Sequence, residues 1–195
     1  MTRTATVERQ TAETQVKATI NLDGAGRAEI STGIGFFDHM LSLFAKHGLF
    51  DLMVAAKGDL IVDGHHTVED TGIVLGRTVA QALGDKQGIR RYGTAFVPMD
   101  EALAMVALDI SGRPYLHFEA AFPGERIGDM ASELVEEFLR AFAVHAALTL
   151  HVRLLYGHNA HHMAEAIFKA LGRALDEATR LDGRIDGVLS TKGTL

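Results

Sequence analysis

From Val16 to Asp23 apolar and polar residues alternate, with Val16, Ala18, Ile20 and Leu22 set against Lys17, Thr19, Asn21 and Asp23. A period of two predicts a strand with one buried face. Asp23-Gly24-Ala25-Gly26 is a turn signal, and residues 27–32 are expected to return as the hairpin partner of that strand. Phe37, Met40, Leu41, Phe44 and Ala45 then recur at helical spacing, with Gly48 where a helix stop belongs. Residues 49–57 and 60–62 read as strands, and 65–83 as a helix. Residues 84–93 are polar and turn-rich, and read as a seam.

The plan then repeats. Residues 95–99 and 103–110 are strand-like, the second apolar enough to be expected buried on both faces. Ser111-Gly112-Arg113-Pro114 is a turn, 115–122 alternates again, and 123–129 is a loop. Residues 131–146 read as a helix, 148–155 as a strand and 161–181 as a long helix. The Gly- and Ser/Thr-containing stretch 183–195 reads as a frayed tail.

The repetition extends to residue identities. A shift of 96 (161 − 65) lays His65, His66 and Glu69 on His161, His162 and Glu165, and Leu75-Gly76-Arg77 on Leu171-Gly172-Arg173. Upstream, a shift of 98 lays Asp38-His39 on Glu136-Glu137, Phe44 on Phe142 and His47 on His145. The expected fold is therefore α+β with an internal duplication. Two half-repeats, 1–92 and 93–195, each pack helices on one face of a sheet and together form one compact unit.

Composition narrows the partners. With 195 residues and 47% apolar content the chain can bury a sizeable core. A net charge of −6 offers no general basic surface for nucleic acid. No apolar run approaches the ~18 residues of a membrane span, and residues 1–10 lack the apolar core of a secretory signal, so a cytoplasmic location is expected. There is no Cys, so a bound metal must take nitrogen and oxygen ligands.

The chemistry concentrates in Asp63-Gly64-His65-His66-Thr67-Val68-Glu69 and its copy, His161-His162-Met163-Ala164-Glu165. Residues i and i+4 share a helix face, so His65 with Glu69, and His161 with Glu165, can converge on one ion. Adjacent histidines point about 100° apart, so a doubled His suggests two ions, each taking one of the pair. With residues 39 and 137 the set reaches eight ligands. Imidazole mixed with carboxylate suits Mn, Fe, Co, Ni or Zn.

The halves also differ. Lys169 lies on the metal-facing stripe of the second copy, where the first has Ile73. It is either a solvated lysine or a cation for the anionic end of a substrate. Arg90, Arg91 and Arg113 fall in turns where guanidinium groups can clamp phosphate. Ser190-Thr191-Lys192-Gly193 can cradle one if folded back. His47 and His145 read as capping or core residues, and His117 and His151 as structural. Asp100 and Glu13 are carboxylates at element edges. These residues leave three readings open: a dinuclear lyase, a dinuclear phosphate-ester hydrolase, and a metal store or sensor.

Phe36-Phe37-Asp38-His39-Met40-Leu41, Asp63 through Asp70, Asp109-Ile110-Ser111-Gly112-Arg113-Pro114, His161-His162 through Lys169, and Ser190-Thr191-Lys192-Gly193, in that order, resemble imidazoleglycerol-phosphate dehydratases over nearly the whole chain. The resemblance implies a histidine-biosynthesis lyase that converts imidazole glycerol phosphate to imidazole acetol phosphate. It implies two Mn(II) ions and a homo-oligomer of 24 subunits with active sites at subunit contacts. One ion would take His39, His66, His161 and Glu165, and the other His65, Glu69, Glu137 and His162. Arg91, Arg113, Lys169, Ser190 and Lys192 would hold the phosphate. Glu13 and Glu165 would lie at the reacting atoms, with Glu13 as acid/base and Asp100 as a supporting carboxylate. Much of the family has His where this chain has Glu137.

Overall fold

A computed structural model describes residues 3–195. The first half runs β1 (Thr4–Gln10), β2 (Thr14–Asn21), β3 (Ala28–Ser31), α1 (Gly35–Gly48), β4 (Asp51–Gly58) and α2 (His65–Leu83). The second runs β5 (Tyr92–Met99), β6 (Ala102–Asp109), β7 (Tyr115–Glu119), the short hairpin β8 (Arg126–Ile127) and β9 (Met130–Ala131), α3 (Leu134–His145), β10 (Thr149–Tyr156) and α4 (Ala160–Thr179). The two large sheets have the orders β1-β2-β4-β3 and β5-β6-β10-β7. The same winding twice is what a duplicated α+β chain requires. Among the described residues no helix is long and apolar enough to cross a membrane.

Alternation along β2 buries Val16, Ala18 and Ile20, and along β6 it buries Ala104, Val106 and Leu108. The helices cover this one face of each sheet. β6 is therefore half-buried, correcting the expectation of burial on both faces; its other face is only partly covered. The return strand also differs. β3 does not form a hairpin with β2; it pairs parallel with β4, Ala28 opposite Leu52. The reason is that both edges of β2 are taken, one by β4 and the other by β1, a strand hidden in a polar N-terminal stretch. Residues 60–62 form no strand: Ile61 is fully exposed and Val62 largely so. The stretch 183–195 folds back as turns, with Gly187 accepting a backbone hydrogen bond from Gly88.

The halves interlock through their helices. α1 lies against α4 and α3 against α2, so each crossing joins one half to the other. Phe37 meets Phe138 edge-on at 5.2 Å, and Phe138 stacks on Phe168 at 5.4 Å, in one continuous core. Both crossings depend on a repeated glycine. A Cβ on Gly172 would stand 2.4 Å from the Phe44 carbonyl oxygen, and one on Gly76 would stand 2.7 Å from that of Phe142.

Candidate metal centre

The two helices that carry the doubled histidines each start beside a side chain that accepts their first backbone N–H groups. Asn159 accepts hydrogen bonds from the His161 and His162 backbone N–H groups, and Asp63 accepts one from His65 at 2.8 Å. α1 has no cap of its own. Asp129, from the other half, accepts from Gly35 at 2.6 Å and Phe36 at 2.9 Å, which ties the start of the His39 helix to the β8–β9 hairpin.

At the α1–α4 crossing, His39 Nε2 lies 2.8 Å and His161 Nε2 3.0 Å from Glu165 Oε1. One ligand atom from each of these three residues falls within 4.8 Å of the others. Lys169 Nζ donates to Glu165 Oε2 at 2.6 Å and also lies 3.1 Å from Met99 Sδ. Burial pushes the Glu165 carboxyl up, but hydrogen bonds from Lys169, His39 and His161 outweigh it and hold the group at about 2. The carboxylate stays ionised in a place where it is buried.

The α2–α3 crossing is the equivalent position in the other half. There His65 and Glu137 line a hollow of about 250 Å³ with Glu133, Glu136 and Arg140. Glu137 is drawn to Arg140, with Oε2 3.6 Å from Nε, and Glu69 is half-buried on α2. Among the described residues His65, Glu69 and Glu137 do not close into a three-ligand group, whereas His39, His161 and Glu165 do.

The second histidine of each pair faces elsewhere, as the roughly 100° offset requires. The ring centroids of His65 and His66 are 6.1 Å apart with their planes at 89°, and those of His161 and His162 are 6.3 Å apart with their planes at 82°. His66 Nδ1 is 3.0 Å from Asp59 and 3.9 Å from Glu13. His162 Nδ1 is 2.7 Å from Glu101 and its Nε2 is 3.8 Å from Asp100. These hydrogen-bonded carboxylates raise the pKa of both imidazoles, and His162, with the Asn159 N–H, holds Glu101 at about 2. Asp59 and Glu101 had no sequence signal as candidates, apart from Glu101 occupying the same kind of hairpin turn as Glu13.

Four of the five expected phosphate residues gather at one place. Arg91, Arg113, Ser190 and Lys192 line a hollow of about 740 Å³. Arg91 is fixed there by two hydrogen bonds to Asp109 and one to the Leu189 carbonyl, which also explains why the tail is held. Arg113 remains 68% exposed in its side chain. Lys169 is outside this hollow, at Glu165. His47 and His145 are half-buried at helix ends, where burial and neighbouring cations lower their pKa. His117 and His151 lie side by side on adjacent strands, ring centroids 5.4 Å apart.

The family model of imidazoleglycerol-phosphate dehydratase matches residues 32–175. The chain belongs to the imidazoleglycerol-phosphate dehydratase family. It is 65% identical to the imidazoleglycerol-phosphate dehydratase of Acetivibrio thermocellus over the full length of both chains. It is 63% identical to that of Caldanaerobacter subterraneus subsp. tengcongensis, covering 99% of this chain and 100% of the relative. The crystal structure of the Staphylococcus aureus imidazoleglycerol-phosphate dehydratase superposes with a TM-score of 0.83 at 44% identity, over 92% of this chain and 99% of that one. The Pyrococcus furiosus structure, in complex with (S)-C348, gives 0.84 at 37% identity, over 97% of this chain and all of the other. Imidazoleglycerol-phosphate dehydratases are hydro-lyases of histidine biosynthesis, and this chain is an enzyme of that class acting on a small molecule.

Proposed function

We propose that this hydro-lyase dehydrates imidazole glycerol phosphate to imidazole acetol phosphate at a pair of Mn(II) ions. The observation that carries the reading is the convergence of His39, His161 and Glu165. Two imidazole nitrogens and an ionised carboxylate oxygen are a donor set that fits Mn(II). His39, His161 and Glu165 with His66 would hold one ion, and His65, Glu69 and Glu137 with His162 the other. His66 stands apart from the His39 group in this chain, which supports completion of each ligand set by a neighbouring copy. The same argument supports active sites at subunit contacts, as in the 24-subunit cytoplasmic assembly that the family resemblance implies.

The ions, when bound, supply Lewis acidity and a template for the imidazole ring. The protein's own side chains do the rest. Arg91, Arg113, Ser190 and Lys192 bind the phosphate and so position the glycerol chain, and Lys169 adds a positive charge at the Glu165 end. The Glu13 carboxylate takes the carbon-bound proton beside the departing hydroxyl and can return one during tautomerisation to the ketone. Asp100 supports that transfer from the opposite hairpin.

The test is product analysis with imidazole glycerol phosphate and Mn(II). A ketone that retains its phosphate is expected. Release of inorganic phosphate would indicate a hydrolase instead, and an anomalous-scattering map with fewer than two ions per site would overturn the paired arrangement.

A further inference from the structure

The two hairpins that end beside the doubled histidines are equivalent in the duplication. A shift of 88 (102 − 14) lays Thr14, Val16, Ala18 and Ile20, buried along β2, on Ala102, Ala104, Val106 and Leu108, buried along β6. The same shift lays Glu13 on Glu101. Both carboxylates face the second histidine of their half, but at different distances. Glu101 Oε2 is 2.7 Å from His162 Nδ1, whereas Glu13 Oε2 is 3.9 Å from His66 Nδ1. In the first half the close contact is made by Asp59, whose oxygens lie 3.0 and 3.2 Å from His66 Nδ1.

From this division we infer that Glu101 and Asp59 are the positioning residues that set the tautomer and ring orientation of His162 and His66, and that Asp59 thereby releases Glu13 for the substrate. The inference rests on the two-ion reading above. An ionised carboxylate only accepts hydrogen bonds, so the proton must sit on Nδ1 in each ring. When the ring is neutral Nε2 then keeps its lone pair, the form a metal ligand needs. Glu101 is anchored for this task. Its Oε1 accepts from the Asn159 N–H at 2.8 Å and the His158 N–H at 3.3 Å, immediately before α4. Asp59 precedes α2, and the position matching it at a shift of 98 is Gly157, so the second half has no such residue to use.

Glu101→Gln tests the idea with little change of shape. The two backbone N–H groups retain the amide oxygen, so the amide NH₂ faces His162 Nδ1. That nitrogen must then accept, the proton moves to Nε2, and the ring can no longer ligate through Nε2. Metal-stripped full-length protein is titrated with Mn(II) and followed by EPR, and histidine tautomers are read from ¹⁵N shifts. The wild type is expected to take two ions. Glu101→Gln is expected to keep one at wild-type affinity and to weaken the other by about 10–100-fold, with an inverted His162 tautomer and an unchanged thermal midpoint. Glu101→Asp, which keeps a carboxylate, recovers most of the affinity. Asp59→Asn, in an exposed loop, weakens the other ion in the same way. Two ions at wild-type affinity in Glu101→Gln and Asp59→Asn, or persistence of the Nδ1–H form in both, would overturn the inference. A wild-type protein that takes up no Mn(II) would sink the two-ion reading itself, and the tautomer shifts would still report on the two contacts.

Discussion

Glu165 Oε1 lies 2.8 Å from His39 Nε2, across 126 residues of chain. The pairing joins the two halves of the duplication, because His39 is on α1 and Glu165 on α4. It depends on how closely those helices approach. Gly172 sets that distance, since a side chain there would run into the Phe44 carbonyl oxygen and the Gly48 amide.

Gly172→Ala should therefore act on both stability and metal uptake. Overpacking a crossing of this kind costs about 1–3 kcal/mol, and the displaced His39 should loosen the three-ligand group. Gly76→Ala should destabilise to a similar degree while perturbing the α2–α3 crossing instead. Thermal melts and Mn(II) titrations of the two variants separate these effects. A Gly172→Ala protein with unchanged melting and two tightly held ions would refute the packing argument.

Glu165→Gln removes the one charged group in the cluster. One ion should be lost and the other kept, with metal content measured on dialysed protein. The Lys169 ammonium, 13% exposed in its side chain, then loses its only ion-pair partner among the described residues, so some loss of thermal stability is expected too.

Lys169→Met separates two roles that the structure leaves in tension. The ammonium sits 2.6 Å from Glu165 Oε2, where it opposes an incoming cation. Its removal should tighten Mn(II) binding several-fold and let the Glu165 carboxyl rise from about 2. If Lys169 also attracts the substrate's phosphate, KM should increase in the same variant. Unchanged metal affinity would mean that Lys169 has already swung away from Glu165 in solution.

The Arg27–Asp51 pair predicts a pH dependence away from the metals. Hydrogen bonds from the Arg27 side chain and from the Ala25 and Arg27 backbone N–H groups hold the Asp51 carboxyl well below the usual carboxylate range. A depressed folded-state pKa stabilises the fold fully above the unfolded value of about 3.9, and this stabilisation is lost progressively as pH falls from there through the lower folded value. Wild type should therefore melt above Asp51→Asn at pH 7, and the gap should narrow below about pH 4. A gap of constant size in urea or thermal unfolding across that range would count against the ion pair.

Several features were open to reading from the chain alone because they are local or periodic. Alternation located β2, an apolar run located β6 though not its half-burial, helical spacing located α1, α2 and α4, and the i, i+4 relation paired His161 with Glu165 on one turn. The internal repeat told of two similar halves, since identities at a fixed shift need no coordinates. The doubled histidines told of two directions, because adjacent residues on a helix diverge by a known angle.

What the local pattern could not decide was set by partners distant in sequence. β3 looked like a hairpin return, but β1 and β4 already occupied both edges of β2 and sent it elsewhere. The tail looked frayed until Arg91 and Gly88 gave it hydrogen bonds. Asp59 and Glu101 carry no local signal in the chain, and only folding brought them to His66 and His162. The sequence by itself determined which side chains can hold a metal and that they come in two sets, because spacing on a helix is a property of the helix. Which of them meet was decided by the tertiary structure, because α1 packs on the helix of the opposite half and so brings His39 to Glu165.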